Sequence, residues 1–154
     1  MHKKLLSNQL DPIHRRLTYG CFGVLLLSGL GWLYFHYFMA VTTDFGQTPH
    51  PAQTWWLKLH GLAAMAVLVI FGSLIPVHIR RAWHHRKNRG SGAVMVLIMF
   101  VLTLTGYGLY YIGGEELRPF ISGAHWLLGS ALMPIIVLHI ALGRRARHRE
   151  PKSG

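Results

Sequence analysis

The chain has 154 residues, enough for one domain, of which 51% are hydrophobic and only 14% charged. That balance, with a mean hydropathy of +0.31, argues against a soluble domain and for a membrane protein. A single cysteine, Cys21, excludes an internal disulfide and any CxxCH motif, while the net charge of +11 raises nucleic-acid binding as a class to be tested by where the charge lies.

Four apolar stretches predict membrane helices at 17–41, 55–79, 94–112 and 120–142. Each is near the ~20 residues that cross a hydrocarbon core of ~30 Å. The first is too long for the apolar region of a signal peptide and has no clean cleavage site after it. Glycines such as Gly20, Gly23, Gly29, Gly31, Gly106 and Gly108 lie within the stretches, where they let membrane helices pack closely. No convincing internal repeat is visible. The expected fold is an all-α integral membrane four-helix bundle in one domain, 1–154.

The basic residues orient it. Lys3, Lys4, Arg15 and Arg16 precede the first stretch, Arg80, Arg81, Arg86, Lys87 and Arg89 follow the second, and Arg144, Arg145, Arg147, Arg149 and Lys152 follow the fourth. Only Lys58 and Arg118 fall on the other side. The positive-inside rule then predicts that both termini are cytoplasmic. It also accounts for the charge as topology and contact with anionic lipid, so no nucleic-acid partner is expected. Tyr34, Tyr37, Trp55, Trp56, Tyr110 and Tyr111 collect on the outer side, as an interfacial aromatic belt does.

The histidines fall into layers. His36, His60 and His125 each lie about five residues from the outer end of a predicted span, and His78 and His139 lie near the inner ends. His14 sits just before the first span. An α-helix turns ~100° and rises ~1.5 Å per residue. The fourteen residues from His125 to His139 therefore return to within ~40° of the same face, ~21 Å along the axis. The eighteen from His60 to His78 make ~5 whole turns over ~27 Å. His84 and His85 lie in a basic loop, and His2, His50 and His148 lie in segments expected to be exposed; all five are expected to be solvated.

Ionisable residues inside membrane spans are costly and functional by default, although a packed, hydrogen-bonded histidine is the competing reading for any one of them. Paired layers on two helices suit haem iron, which neutral imidazole ligates well and which bundle cores accommodate. Gly61 and Gly129 lie close to the histidines, where a flat porphyrin needs helix surface without bulk. Structural zinc wants four donors at one point, often with cysteine, and the histidines are spread over two levels.

The segments "HRRLTYGCFGVLLLSGLG", "LKLHG" and "HWLLGSALMPIIVLH" carry a resemblance to the bacterial four-helix dihaem cytochrome b family. That family includes small cytochrome b561 electron carriers and the cytochrome b subunits of formate dehydrogenase and nickel–iron hydrogenase. The resemblance runs from about His14 to Arg145. It implies an outer haem held by His60 and His125 and an inner haem held by His139 and His14. Spacing alone favours His78 over His14 as the partner of His139, because His14 is followed by Arg15 and Arg16 while His78 shares the depth of His139. Pro76, two residues before His78, can adjust its height. His36 is expected to pack in the aromatic belt or to bond a haem propionate. Lys58 and Arg118 are candidates to pair with propionates outside, and Arg80 and Arg81 inside. Glu115 and Glu116 are candidate proton acceptors if a quinol is oxidised near the outer face.

The resulting expectation is a dihaem b-type cytochrome of the bacterial inner membrane with two haem b groups. It would be an electron-transfer subunit rather than a complete enzyme. Its implied partners are membrane lipid, a quinone, and a redox protein or oxidoreductase subunits. Two other classes stand beside it: a haem-free transporter or metal-handling membrane protein, and a structural anchor for a larger complex.

Overall fold

A computed structural model describes residues 11–44, 46–84 and 89–148, with the side chains of Val77 and 146–148 outside the description. Four helices are long and apolar enough to cross a membrane. They are α1 (Pro12–Phe38), α2 (Pro51–Leu74), α4 (Arg89–Tyr111) and α5 (Leu117–His148), with a five-residue helix α3 (Arg80–His84) between α2 and α4. Two three-residue strands, β1 (Val41–Thr43) and β2 (Gly46–Thr48), form the one departure from an all-helical chain among the described residues.

Every long helix starts before the apolar stretch that signals it, and at α1 and α2 capping chemistry sets the start. Asp11 caps α1, its Oδ2 accepting from the Ile13 amide at 3.1 Å, and Pro12 follows at the first helical position, where its missing N–H costs nothing. His50 and Pro51 repeat the device on α2: the His50 Nδ1 accepts from the Ala52 amide at 3.1 Å. This corrects the reading of His50 as merely solvated; it is half-buried and lies 4.9 Å, ring centre to ring centre, from Phe35.

The second predicted stretch, 55–79, is not one regular helix. After Leu74 the chain makes a π-helical turn, Ile75–Ile79. Pro76 has no amide hydrogen to give to a carbonyl four residues back, and Ile75 donates instead to the Gly72 carbonyl. A wide turn absorbs that defect, and such turns recur at functional sites. The eighteen-residue arithmetic that puts His78 on the stripe of His60 assumes an unbroken α-helix and does not run through it.

The chain divides into two compact units, one ending at Val77 and the other beginning at His78. In the first, α1 packs on α2. The helices are antiparallel: His36 near the end of α1 meets Gln53 at the start of α2, and His14 at the start of α1 meets Ser73 at the end of α2. The strands joining them pair Val41 with Thr48, Thr42 with Gln47 and Thr43 with Gly46. Gly46 takes φ +105°, a backbone conformation that side chains with a Cβ rarely adopt. In the second unit α4 packs on α5 in the same antiparallel way, with Ser91 against His139 at one end and Thr105 against His125 at the other. Among the described residues few side chains are buried: Phe22, Ala63 and Val67 with the polar Thr18 and Ser28 in the first unit, Met99, Leu132 and Ile136 in the second. Large apolar residues such as Leu62 (70% exposed), Val69 (73%) and Leu97 (60%) face outward in mid-helix, as lipid-facing positions do.

Candidate functional site

Each unit holds a histidine and a hydroxyl at two levels. In the first unit, His60 on α2 meets Ser28 on α1 at the level near the connecting strands, and His14 on α1 meets Ser73 on α2 at the far level. In the second, His125 on α5 meets Thr105 on α4 near the connecting turn, and His139 on α5 meets Ser91 on α4 at the far level. Fourteen residues separate His14 from Ser28, Ser91 from Thr105 and His125 from His139, which is ~21 Å along a helix. The α1–α2 and α4–α5 pairs thus share a plan that the sequence alone did not reveal.

The hydrogen bonds settle the tautomer of one ring. His60 Nδ1 lies 3.1 Å from the Leu25 carbonyl and 3.1 Å from Ser28 Oγ. A carbonyl only accepts, so Nδ1 carries the proton and Nε2 the lone pair. Ser28, fully buried, gives its own proton to the Leu25 carbonyl at 3.0 Å and so also accepts from the ring. Thr105 Oγ1 lies 2.8 Å from the Val101 carbonyl, 3.2 Å from the Leu102 carbonyl and 2.9 Å from His125 Nδ1, so it accepts from an Nδ1–H or donates to a bare Nδ1 according to the tautomer of the ring. His139 Nδ1 is bonded to Ser91 Oγ at 2.9 Å. His14 differs: its Nε2, not Nδ1, lies 3.1 Å from Ser73 Oγ, and Ser73 donates to the Ile70 carbonyl.

A glycine follows three of the hydroxyls in the chain. A Cβ on Gly29 would lie 3.1 Å from His60 Cε1, one on Gly106 would lie 3.2 Å from His125 Cε1, and one on Gly92 would lie 4.0 Å from His139 Cε1. Ser28–Gly29, Ser91–Gly92 and Thr105–Gly106 are thus the site residues that histidine counting missed. The signal was there as two Ser/Thr–Gly pairs inside predicted spans, Ser28–Gly29 and Thr105–Gly106, and a third, Ser91–Gly92, just before one. The two glycines singled out from sequence behave differently: a Cβ on Gly61 meets nothing within 4 Å, whereas one on Gly129 would reach Leu102 of α4 at 3.9 Å.

His78, in the π-helical turn, and His139 are both half-buried, with ring centres 6.3 Å apart and planes at 83°. His14 is the third residue of α1 and half-buried. This corrects the expectation that Arg15 and Arg16 keep it outside a helix: the Asp11–Pro12 cap starts α1 before them, and both arginines are exposed. His36 is exposed, stacked on Trp32 at 4.6 Å, and accepts from the Gln53 side-chain amide at 3.0 Å. Lys58 lies over the Trp55 ring, 4.6 Å from its centre. Arg118 Nη1 donates to the Leu109 and Ile112 carbonyls at 3.0 and 3.2 Å, tying the end of α4. Arg80, Arg81 and His84 are exposed on α3, and Glu115 and Glu116 are exposed in the turn before α5. His2 and His85, and the side chain of His148, lie outside the described residues.

Among the described residues no three His, Cys, Asp or Glu side chains converge as a metal site would require. Comparison of the chain with family models, with curated proteins and with solved structures finds no match.

Proposed function

We propose that the chain is a dihaem b-type membrane cytochrome that passes electrons between a quinone pool and a redox partner. The observation that carries this reading is the pair of histidine levels inside apolar helices, with the Nδ1 of His60, His125 and His139 each hydrogen-bonded to a neighbouring helix. Membrane iron of this kind takes neutral imidazole through one nitrogen while the other is anchored by hydrogen bonding. In His60 the proton sits on Nδ1, so the lone pair is on Nε2. The donors also fit in number, since each iron needs two histidines and not a cluster.

His60 and His125 are the ligands of the outer haem in this scheme, as the family resemblance implies. The inner haem takes His139 and His78. The half-buried rings of these two histidines lie 6.3 Å apart, centre to centre, which supports the pairing. His14 is the alternative partner of His139: the resemblance favours it, while the engagement of its Nε2 by Ser73 weighs against it. When bound, the haems supply one-electron transfer. The protein orients three of the imidazoles by hydrogen bonds to the neighbouring helix. The sided distribution of Lys and Arg supports cytoplasmic termini, a bacterial inner-membrane location and contact with anionic lipid.

The deciding experiment is a reduced-minus-oxidised optical spectrum of the purified chain with a pyridine haemochrome count. The expected result is about two non-covalent haems per chain, all removed by acid acetone, as histidine ligation without CxxCH requires. Zero or one haem would defeat the reading and return the chain to the transporter or anchor classes.

A further inference from the structure

We propose that the end of the second unit that carries Arg80, Arg81, Arg144 and Arg145 is a binding site for the headgroup of one anionic phospholipid. A sided distribution of charge gives every basic residue on that side the same diffuse attraction to lipid. A site is a stronger claim, and it does not depend on haem. Only its assignment to the cytoplasmic leaflet rests on the proposed topology.

Three segments of the unit meet at His139. The ring of His78, in the π-helical turn, lies 6.3 Å away, the start of α4 brings Ser91 Oγ to 2.9 Å, and α5 carries His139 itself. Each segment bears arginine a little further towards the same end: Arg80 and Arg81 after His78, Arg89 before Ser91, Arg144 and Arg145 after His139. The largest of these separations is six residues, ~9 Å along a helix. Five arginines from three parts of the sequence thus fall in one shallow layer. The described carboxylates of the unit, Glu115 and Glu116, lie in the turn before α5, at the opposite end. Among the described residues nothing acidic offsets the layer.

Arg89 has a separate part. Its Nε and Nη2 both donate to the Trp83 carbonyl, at 3.0 and 2.6 Å, and its guanidinium lies 5.3 Å from the centre of the Trp83 ring. It ties α3 to the start of α4 and holds an indole that is 53% exposed, and such rings settle at the headgroup level of a bilayer. Arg80, Arg81, Arg144 and Arg145 are exposed and hydrogen-bond no described residue. Each keeps a planar fork of N–H donors that matches a phosphate. Beside them the helices present apolar surface: Leu138 and Leu142 on α5 and Val94 on α4 are exposed. Arginine at the rim and an aliphatic wall next to it fit an anionic headgroup with its acyl chains. A free phosphate or an acidic protein surface would use the arginines alone.

The test follows lipid retention by the full purified chain in detergent, read by native mass spectrometry. Phosphatidylglycerol is expected to stay bound as one molecule per chain under conditions that strip phosphatidylcholine with the same acyl chains. Arg80→Gln with Arg81→Gln should weaken that retention on the order of tenfold, and Arg144→Gln with Arg145→Gln should do the same. Arg80→Lys with Arg81→Lys, which keeps the charge without the fork, should fall between. Arg15→Gln with Arg16→Gln removes equal charge from exposed positions of the first unit and should leave retention unchanged. Equal losses in the three Gln pairs would overturn the site in favour of diffuse attraction. Equal retention of phosphatidylcholine would overturn it too. Displacement of the lipid by millimolar inorganic phosphate or by polyglutamate would do so in favour of a free anion or an acidic protein surface. The two Gln pairs of the site lie on separate helices, so failure of one variant to fold leaves the other to decide. Because the readout is lipid, a chain found without haem would fail the functional reading and leave this test intact.

Discussion

The proposed function places its chemistry on the histidines, and their substitution separates the roles proposed above. His60→Ala and His125→Ala should each remove one haem, about half the total absorbance, while leaving a low-spin signal from the other. Full spectra in both variants would refute the assignment. At the far level, His139→Ala should remove the inner haem under either partner scheme. His78→Ala should then disrupt the inner haem and His14→Ala largely spare it, because the ring of His78 stands 6.3 Å from that of His139 while Ser73 holds the Nε2 of His14. Paired optical spectra read this directly, and the reverse pattern would select His14. His60, His125 and His139 were legible from spacing. The hydroxyls that hold them were not, because Ser and Thr are common in membrane helices and only the helix facing each ring shows which ones matter.

At the scale of the helices, glycine positions divide into those that admit a neighbour and those that do not. A Cβ on Gly31 would lie 2.6 Å from the Trp56 ring, whereas Cβ atoms on Gly20 and Gly23 would meet nothing within 4 Å. Gly31→Ala must therefore drive α1 away from α2 or turn the indole, an overpacking cost of typically about 1–3 kcal/mol. Gly20→Ala and Gly23→Ala should leave thermal unfolding in detergent unchanged or slightly improved, since alanine is the better helix former. Equal melting of all three variants would contradict the packing of the first unit. Hydropathy located all four helices but misplaced their ends. It registers the hydrocarbon crossing, while Asp11–Pro12 and His50–Pro51 start helices in the interface by capping. The break at Ile75–Ile79 was signalled by Pro76, yet a proline announces only a lost hydrogen bond, and its neighbours choose between a kink and a wide turn.

For the molecule in its membrane, the distribution of charge makes the prediction. Fourteen of the sixteen Lys and Arg residues lie in the two termini and the segment after α2. Green fluorescent protein fused to the C-terminus should fluoresce, as it does in the cytoplasm. In a Cys21→Ser background, Thr43→Cys and Glu115→Cys should react with an impermeant maleimide added from outside to intact cells, and Arg81→Cys should not. The opposite labelling would invert the topology and with it the naming of inner and outer haems. Sequence by itself determined what depends on composition and spacing: a membrane chain, four helices, and histidines at two depths. These follow from the water–lipid partition of side chains and the fixed rise of a helix, which need no knowledge of neighbours. Tertiary structure alone decided which hydroxyl meets which imidazole and which glycine makes room for a ring. It also showed that both helix pairs share one plan. Those facts depend on contacts between residues 20 to 59 positions apart, and hydrogen bonds and close packing act over a few ångströms in space, whatever the distance along the chain.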